Sequence, residues 1–242
     1  MTFSIASKTE ILALTIVMAT IVFSPLAPAA DTKSSIAASK LTAAELARLG
    51  DPVLGRKKSE TERCQECHGT EGHGQDGGTG GGESKAPKIG GQHAEYLIKQ
   101  FRNFRNDERH DNTMAVMSDG VSDRDLADIV AYFSSQKKMR GDGSGDNPLG
   151  KRLFLSGDPA RNITACATCH GETGKGGVVN GIAYPVISGQ TWHYLDKQLR
   201  DFHTAQRQNS PGKIMNAIVQ PLTEADIKAL ASYLSGLTVS AD

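Results

Sequence analysis

Several features are scarce in this chain of 242 residues. It has no charge excess: 27 Lys and Arg balance 27 Asp and Glu. The balance also holds locally, with 17 basic and 17 acidic residues from 31 to 140 and nine of each from 141 to 242. Neither half is a polyelectrolyte, so nucleic acid is excluded as an electrostatic partner and an anionic membrane surface is not a target of its charge. Aromatic residues make up only 5% of the chain. A chain of this length has room for one large or two ordinary domains. With so few bulky side chains, two small cores would need filling from another source, and a large apolar group meets that need. Long apolar runs are scarce too. The one at 11–23 is shorter than the roughly 20 residues a bilayer-spanning helix requires. It follows Lys8 and precedes Ala27, Pro28, Ala29 and Ala30, so residues 1–30 read as an export signal peptide, with the mature chain starting at Asp31. That implies a periplasmic location with at most a loose membrane association.

Cysteine is confined to two short motifs, Cys64-Gln65-Glu66-Cys67-His68 and Cys166-Ala167-Thr168-Cys169-His170. C-x-x-C-H is the attachment signature of c-type haem. Two residues between the thiols let one turn of chain reach both vinyl groups while the adjacent histidine meets the iron. A zinc site would bring its C-x-x-C pairs within roughly 15–20 residues, whereas these lie about a hundred apart. A thioredoxin-like pair needs no histidine, and structural disulfides give no reason for the histidine to recur. The motifs therefore predict two covalently bound haem c groups, with Cys64, Cys67, Cys166 and Cys169 as thioether anchors and His68 and His170 as axial iron ligands.

The rest of the chain repeats around the motif. Pro87-Lys88-Ile89-Gly90-Gly91-Gln92 matches Pro185-Val186-Ile187-Ser188-Gly189-Gln190, after a loop four residues longer in the first half. Tyr96, Leu97, Lys99 and Gln100 match Tyr194, Leu195, Lys197 and Gln198, and Phe104 matches Phe202. Met114 then falls on Met215, Asp125 on Asp226 and Tyr132 on Tyr233. Met114 and Met215 each stand eight residues before a hydroxyl residue, Ser122 or Thr223. Met117 falls on Ile218, which cannot bind iron. Met114 and Met215 are therefore assigned the sixth coordination position, and Met117 and Met139 are assigned to packing. Thioether sulfur favours ferrous iron and raises the reduction potential. His73, His93, His110, His193 and His203 do not recur between the halves and are expected at the surface.

Ser122/Asp125 and Thr223/Asp226 have the spacing of helix capping boxes. After them, Leu126, Ile129, Val130 and Phe133, and likewise Ile227, Leu230, Ala231 and Leu234, keep the spacing of one buried helical stripe. Pro52 and Pro148 suit the first turn of a helix. The stretch 140–146, rich in glycine and polar residues, is expected as a linker with no core of its own, which divides the mature chain into domains 31–140 and 141–242. The glycine cluster at 77–82 lacks a Gly-Lys-Ser/Thr ending and is read as a surface loop, not a phosphate site.

With its two C-x-x-C-H motifs, a Pro…Gly-Gln segment after each and a methionine before a capped helix in both halves, the sequence resembles the cytochrome c4 family over essentially the whole mature chain. The resemblance implies an all-α fold of two tandem class I cytochrome c domains with one covalent haem each. It implies further that the Pro87 and Pro185 carbonyls orient His68 and His170. It points to a periplasmic carrier of single electrons, without catalysis of its own, between redox proteins: a quinol-oxidising complex on one side and a terminal oxidase or reductase on the other. Two alternatives stay open from sequence: a dihaem enzyme of the peroxidase or thiosulfate-oxidising kind, and an electron-outlet subunit of a dehydrogenase complex.

Overall fold

A computed structural model of the chain describes residues 1–2, 40–74 and 86–238. The expected export signal, apart from its first two residues, and the glycine cluster at 77–82 lie outside the described residues. The first half contains α1 (Ala43–Ala47), α2 (Pro52–Thr61), α3 (Cys64–His68), α4 (Ala94–Arg105), α5 (Asn112–Asp119) and α6 (Asp123–Ser134). The second contains α7 (Pro148–Ser156), α8 (Ala167–His170), a hairpin of β1 (Gly177–Val179) and β2 (Ile182–Tyr184), α9 (Trp192–His203), α10 (Ile214–Val219) and α11 (Glu224–Gly236). Helices α2, α3, α4, α5 and α6 recur in order as α7, α8, α9, α10 and α11.

Local chemistry starts these helices. Asp51 accepts from the backbone N–H groups of Val53 and Leu54, and Asn147 accepts from that of Gly150, each with proline next in the first turn. Thr223 and Asp226 close a full capping box on α11. On α6 the box is half made: Ser122 accepts from Asp125 N–H, while the Asp125 carboxylate takes the Ser122 hydroxyl at 2.6 Å and the Lys58 ammonium at 2.5 Å.

In each half the first long helix crosses the last in backbone contact. A Cβ added at Gly55 would lie 1.8 Å from the Asp128 carbonyl oxygen, and one at Gly150 would lie 2.1 Å from that of Ala229. Only glycine permits so close a crossing. The stripes on α6 and α11 are buried as their spacing predicts, and each fully buried large aliphatic or aromatic side chain contributes about 1.5–3 kcal/mol. Two separate cores result, one around Leu126 and Phe133, the other around Leu230 and Phe154.

Two features depart from the sequence expectation. Helix α1, with its own Thr42/Glu45 capping box, packs buried Leu46 into the first core. Among the described residues the regular structure is helical except for β1–β2, paired antiparallel with Gly177 opposite Tyr184 and closed by Asn180-Gly181, both at positive φ. Asn-Gly is the favoured pair for a two-residue hairpin turn. In the linker stretch, Gly141 N–H donates to Leu237 O at 2.9 Å and Gly143 N–H to Gly236 O at 3.1 Å, fastening it to the end of α11.

Candidate cofactor site and domain interface

Each C-x-x-C-H motif forms a single helical turn that ends on a buried histidine. His68 Nδ1 lies 2.7 Å from Pro87 O, and His170 Nδ1 lies 3.0 Å from Pro185 O. A carbonyl only accepts, so Nδ1 carries the proton in both rings and Nε2 keeps a free lone pair. Burial lowers the pKa of both histidines, against the opposing pull of the carbonyl, and so favours the neutral form that can bind a metal. Burial also pushes the Cys64 and Cys166 thiols up to about 11. They are therefore protonated at neutral pH and poor metal ligands as free thiols.

A cavity of about 950 Å³ opens beside His68, Cys64 and Cys67. Leu97, Phe101 and Phe104 of α4 line it together with Ile129, Val130 and Phe133 of α6, which explains why Leu97 and Phe101 on the α4 stripe stay half-exposed. Helix α5 brings both Met114 and Met117 to this cavity. Asp111 caps α5 by accepting from Met114 N–H at 3.0 Å. In the second half Met215, Cys166, Ile187 and Leu199 lie against the core, and Met215 N–H donates to Ser210 Oγ at 3.1 Å. Met139 is fully buried, and its sulfur accepts from Gln190 Nε2 at 3.3 Å.

The cavity reaches the other half, with Gln190, Tyr194, Gln198 and Arg207 on its wall. Arg109 and Arg207 are both buried there, yet their hydrogen-bond acceptors among the described residues are all neutral: Gln100, Gln198, Tyr96, Tyr194 and Asn209. A buried cation is ordinarily paired with an anion. Two cations on the wall of an apolar cavity, with cysteines and a histidine beside it, fit a large apolar group that carries carboxylates, as haem does.

Of the histidines expected at the surface, His110 is exposed, with Nδ1 2.7 Å from Asp107 Oδ1, and His193 is exposed at the cavity rim. His203 is only half-buried. The expectation fails for His93, whose Nε2 bonds Lys175 O of the other half at 2.9 Å; His73, like His203, is half-buried, and it lies beside Gly90. Nothing in the local sequence of His93 signals a bond to a residue 82 positions away. Arg109 and Arg207 also went unnoticed in the sequence, although each follows a repeated phenylalanine by five residues and stacks on it, 4.6 Å from the Phe104 centroid and 4.5 Å from that of Phe202.

Known proteins give an independent view of this arrangement. The Cytochrome c family model matches residues 53–137 and again 149–238. The chain is 36% identical over 192 residues to a cytochrome c4 of Pseudomonas aeruginosa, covering 78% of this chain and 89% of that protein. The crystal structure of reduced recombinant cytochrome c4 from Pseudomonas stutzeri superposes with a TM-score of 0.67 at 34% identity, covering 78% of this chain and 99% of that one. A protein named thiosulfate dehydrogenase electron acceptor, from Stutzerimonas stutzeri, is 28% identical over 178 residues, covering 72% of this chain and 78% of its own. With two matches to the cytochrome c model in tandem and likeness to cytochromes c4 over most of its length, the chain belongs to the cytochrome c4 family, whose members are dihaem electron-transfer proteins.

Proposed function

We propose that this chain is a periplasmic dihaem electron carrier, exported by residues 1–30 and built of haem domains 31–140 and 141–242. Cys64 and Cys67 anchor one haem c by thioether bonds, and Cys166 and Cys169 anchor the other. His68 with Met114, and His170 with Met215, take the axial positions. The observation that carries this reading is the duplicated histidine whose Nδ1 proton is held by a proline carbonyl, which frees Nε2 for iron. A bound haem supplies a one-electron couple at its iron. His68, Met114, His170 and Met215 would hold the iron atoms, the apolar side chains of α4 and α6 that line the cavity would exclude water, and the proline carbonyls hold each imidazole in one tautomer. With these ligands no coordination position would be left open for a substrate, which is the arrangement of a carrier rather than an enzyme. Exposed Cys67 brings the first motif to the protein surface, where a redox partner can approach.

The partners on this reading are a quinol-oxidising complex as donor and a terminal oxidase or reductase as acceptor. A second donor is favoured by one specific likeness. The relative named as the electron acceptor of a thiosulfate dehydrogenase shares 28% identity, so the same two domains could be reduced by an enzyme of that kind. A spectroelectrochemical titration of the exported protein, followed by carbon monoxide and peroxide, tests the carrier reading. Two low-spin haems that titrate at positive potentials and ignore both ligands support it. A high-spin or ligand-binding haem would make the chain an enzyme.

A further inference from the structure

We propose that Gln92 and Gln190 are positioning residues, each setting the donor strength of the axial histidine in the opposite half through a single peptide group. The inference rests on the axial roles of His68 and His170. The Pro87–Lys88 peptide accepts from His68 Nδ1 at its carbonyl (2.7 Å), and its N–H donates to Gln190 Oε1 at 2.8 Å. Gln190 Nε2 completes a two-point pair by donating to Lys88 O at 2.8 Å. The mirror arrangement is present: the Pro185–Val186 peptide accepts from His170 Nδ1 (3.0 Å) and donates to Gln92 Oε1 (2.9 Å), while Gln92 Nε2 donates to Val186 O at 2.9 Å. Each half thus grips the peptide that grips the other half's imidazole.

Both glutamines are nearly sealed from solvent, at 4% and 5% exposure, so water does not compete for these bonds. Their aim is set locally. Gln92 Oε1 also accepts from His93 N–H and Gln190 Oε1 from Thr191 N–H, folding each side chain back over its own turn. Before each stands a glycine at positive φ, Gly91 at +67° and Gly189 at +69°. A Cβ at Gly91 would lie 2.5 Å from Lys138 Cα, and one at Gly189 would lie 2.5 Å from the Arg140 carbonyl carbon. The chain that joins the two halves is therefore packed against both glutamine-bearing turns.

In a buried chain of hydrogen bonds each bond polarises the next. A peptide whose N–H is held by a glutamine oxygen has a stronger carbonyl acceptor. That carbonyl makes the imidazole more basic, which favours ferric iron and lowers the potential. The two halves therefore tune each other's irons when they dock.

The test is crossed. In the whole haem-loaded chain, Gln190→Ala and Gln92→Ala are made separately and both potentials are titrated, each haem being identified by the paramagnetic NMR resonances of its own axial histidine. Gln190→Ala is expected to raise the first-half potential alone, by about a threefold change in the oxidised-to-reduced ratio, or about 30 mV at 59 mV per tenfold. Gln92→Ala is expected to raise the second alone. A shift confined to the mutated half, equal shifts in both halves as separated domains would give, or no shift at all overturns the proposal. The unmutated protein's spectrum checks the histidine ligation separately: if it shows no histidine-ligated low-spin haem, the ligand assignment itself fails.

Discussion

Arg109 and Arg207 share the same two acceptors across the domain boundary. Arg109 donates to Gln100 Oε1 and Gln198 Oε1, both at 2.8 Å, and Arg207 donates to the same oxygens at 3.0 and 2.6 Å. The result is a closed four-membered ring of side chains, two cations and two amides, on one wall of the cavity, with Gln198 partly buried and the other three buried. Two like charges in such a place raise the cost of oxidising iron nearby. Arg207→Gln is expected to lower the haem potentials by an amount on the order of 1 kcal/mol per electron, read by spectroelectrochemical titration. Unchanged potentials would mean that other anions already neutralise the pair.

Met114→Ala and Met215→Ala should each open one haem to carbon monoxide and leave both haems covalently attached, as measured by difference spectra and intact mass. Met117 lines the same cavity, yet Met117→Ala should leave the spectra unchanged, because its repeat partner is Ile218. Two carbon-monoxide-inert haems in either of the first two variants would refute the methionine assignment.

Gly150→Ala should destabilise the second half by at least about 1–3 kcal/mol, the range for overpacking, because the new Cβ would sit 2.1 Å from Ala229 O. Gly120 has open space at the same position and an ordinary negative φ of −84°. Gly120→Ala should stay within about 0.5 kcal/mol of the parent. Denaturant midpoints of the two variants give the comparison.

Asp226 is held down to about 2, first by its bond to Arg161, against the raising effect of burial, with Thr223 adding to the fall. Its carboxylate accepts from Arg161 at 2.7 and 3.2 Å and is only 4% exposed. A carboxylate with a depressed folded pKa stabilises above its unfolded value and loses that stabilisation on protonation. The contribution is therefore complete above about pH 4 and lost as pH falls towards 2, amounting to about 2 kcal/mol. Asp226→Asn should lower neutral-pH stability by about that much and flatten the acid limb of unfolding between pH 4 and 2. An unchanged acid limb would assign acid unfolding to other carboxylates.

Much of the fold and site could be read from short stretches of chain. Pro52 and Pro148 open helices, Thr223 and Asp226 cap one, and the α6 and α11 stripes are buried, because each depends on residues within one or two turns. The Asn180-Gly181 hairpin was equally local and went unread, its flanks being too short to alternate visibly. Helix α1 was missed for a similar reason: five residues carry little periodicity. The half-made box at Ser122 differs from its partner at Thr223 because Lys58, 67 positions before Asp125, competes for the acid.

Sequence alone determined the motifs and the repetition: the thiol spacing, the adjacent histidine, and the repeat positions on which the proposal of Met114 and Met215 over Met117 rests. Each of these is a local pattern stated twice. Tertiary structure decided what the two copies do to each other. Gln92 meets Val186 across 94 positions, Gln190 meets Lys88 across 102, and Arg109 meets Tyr194 across 85. Such bonds have no period and no local signature. They exist only because two folded domains dock in one orientation, in which buried polar groups left unmatched on one half find their partners on the other.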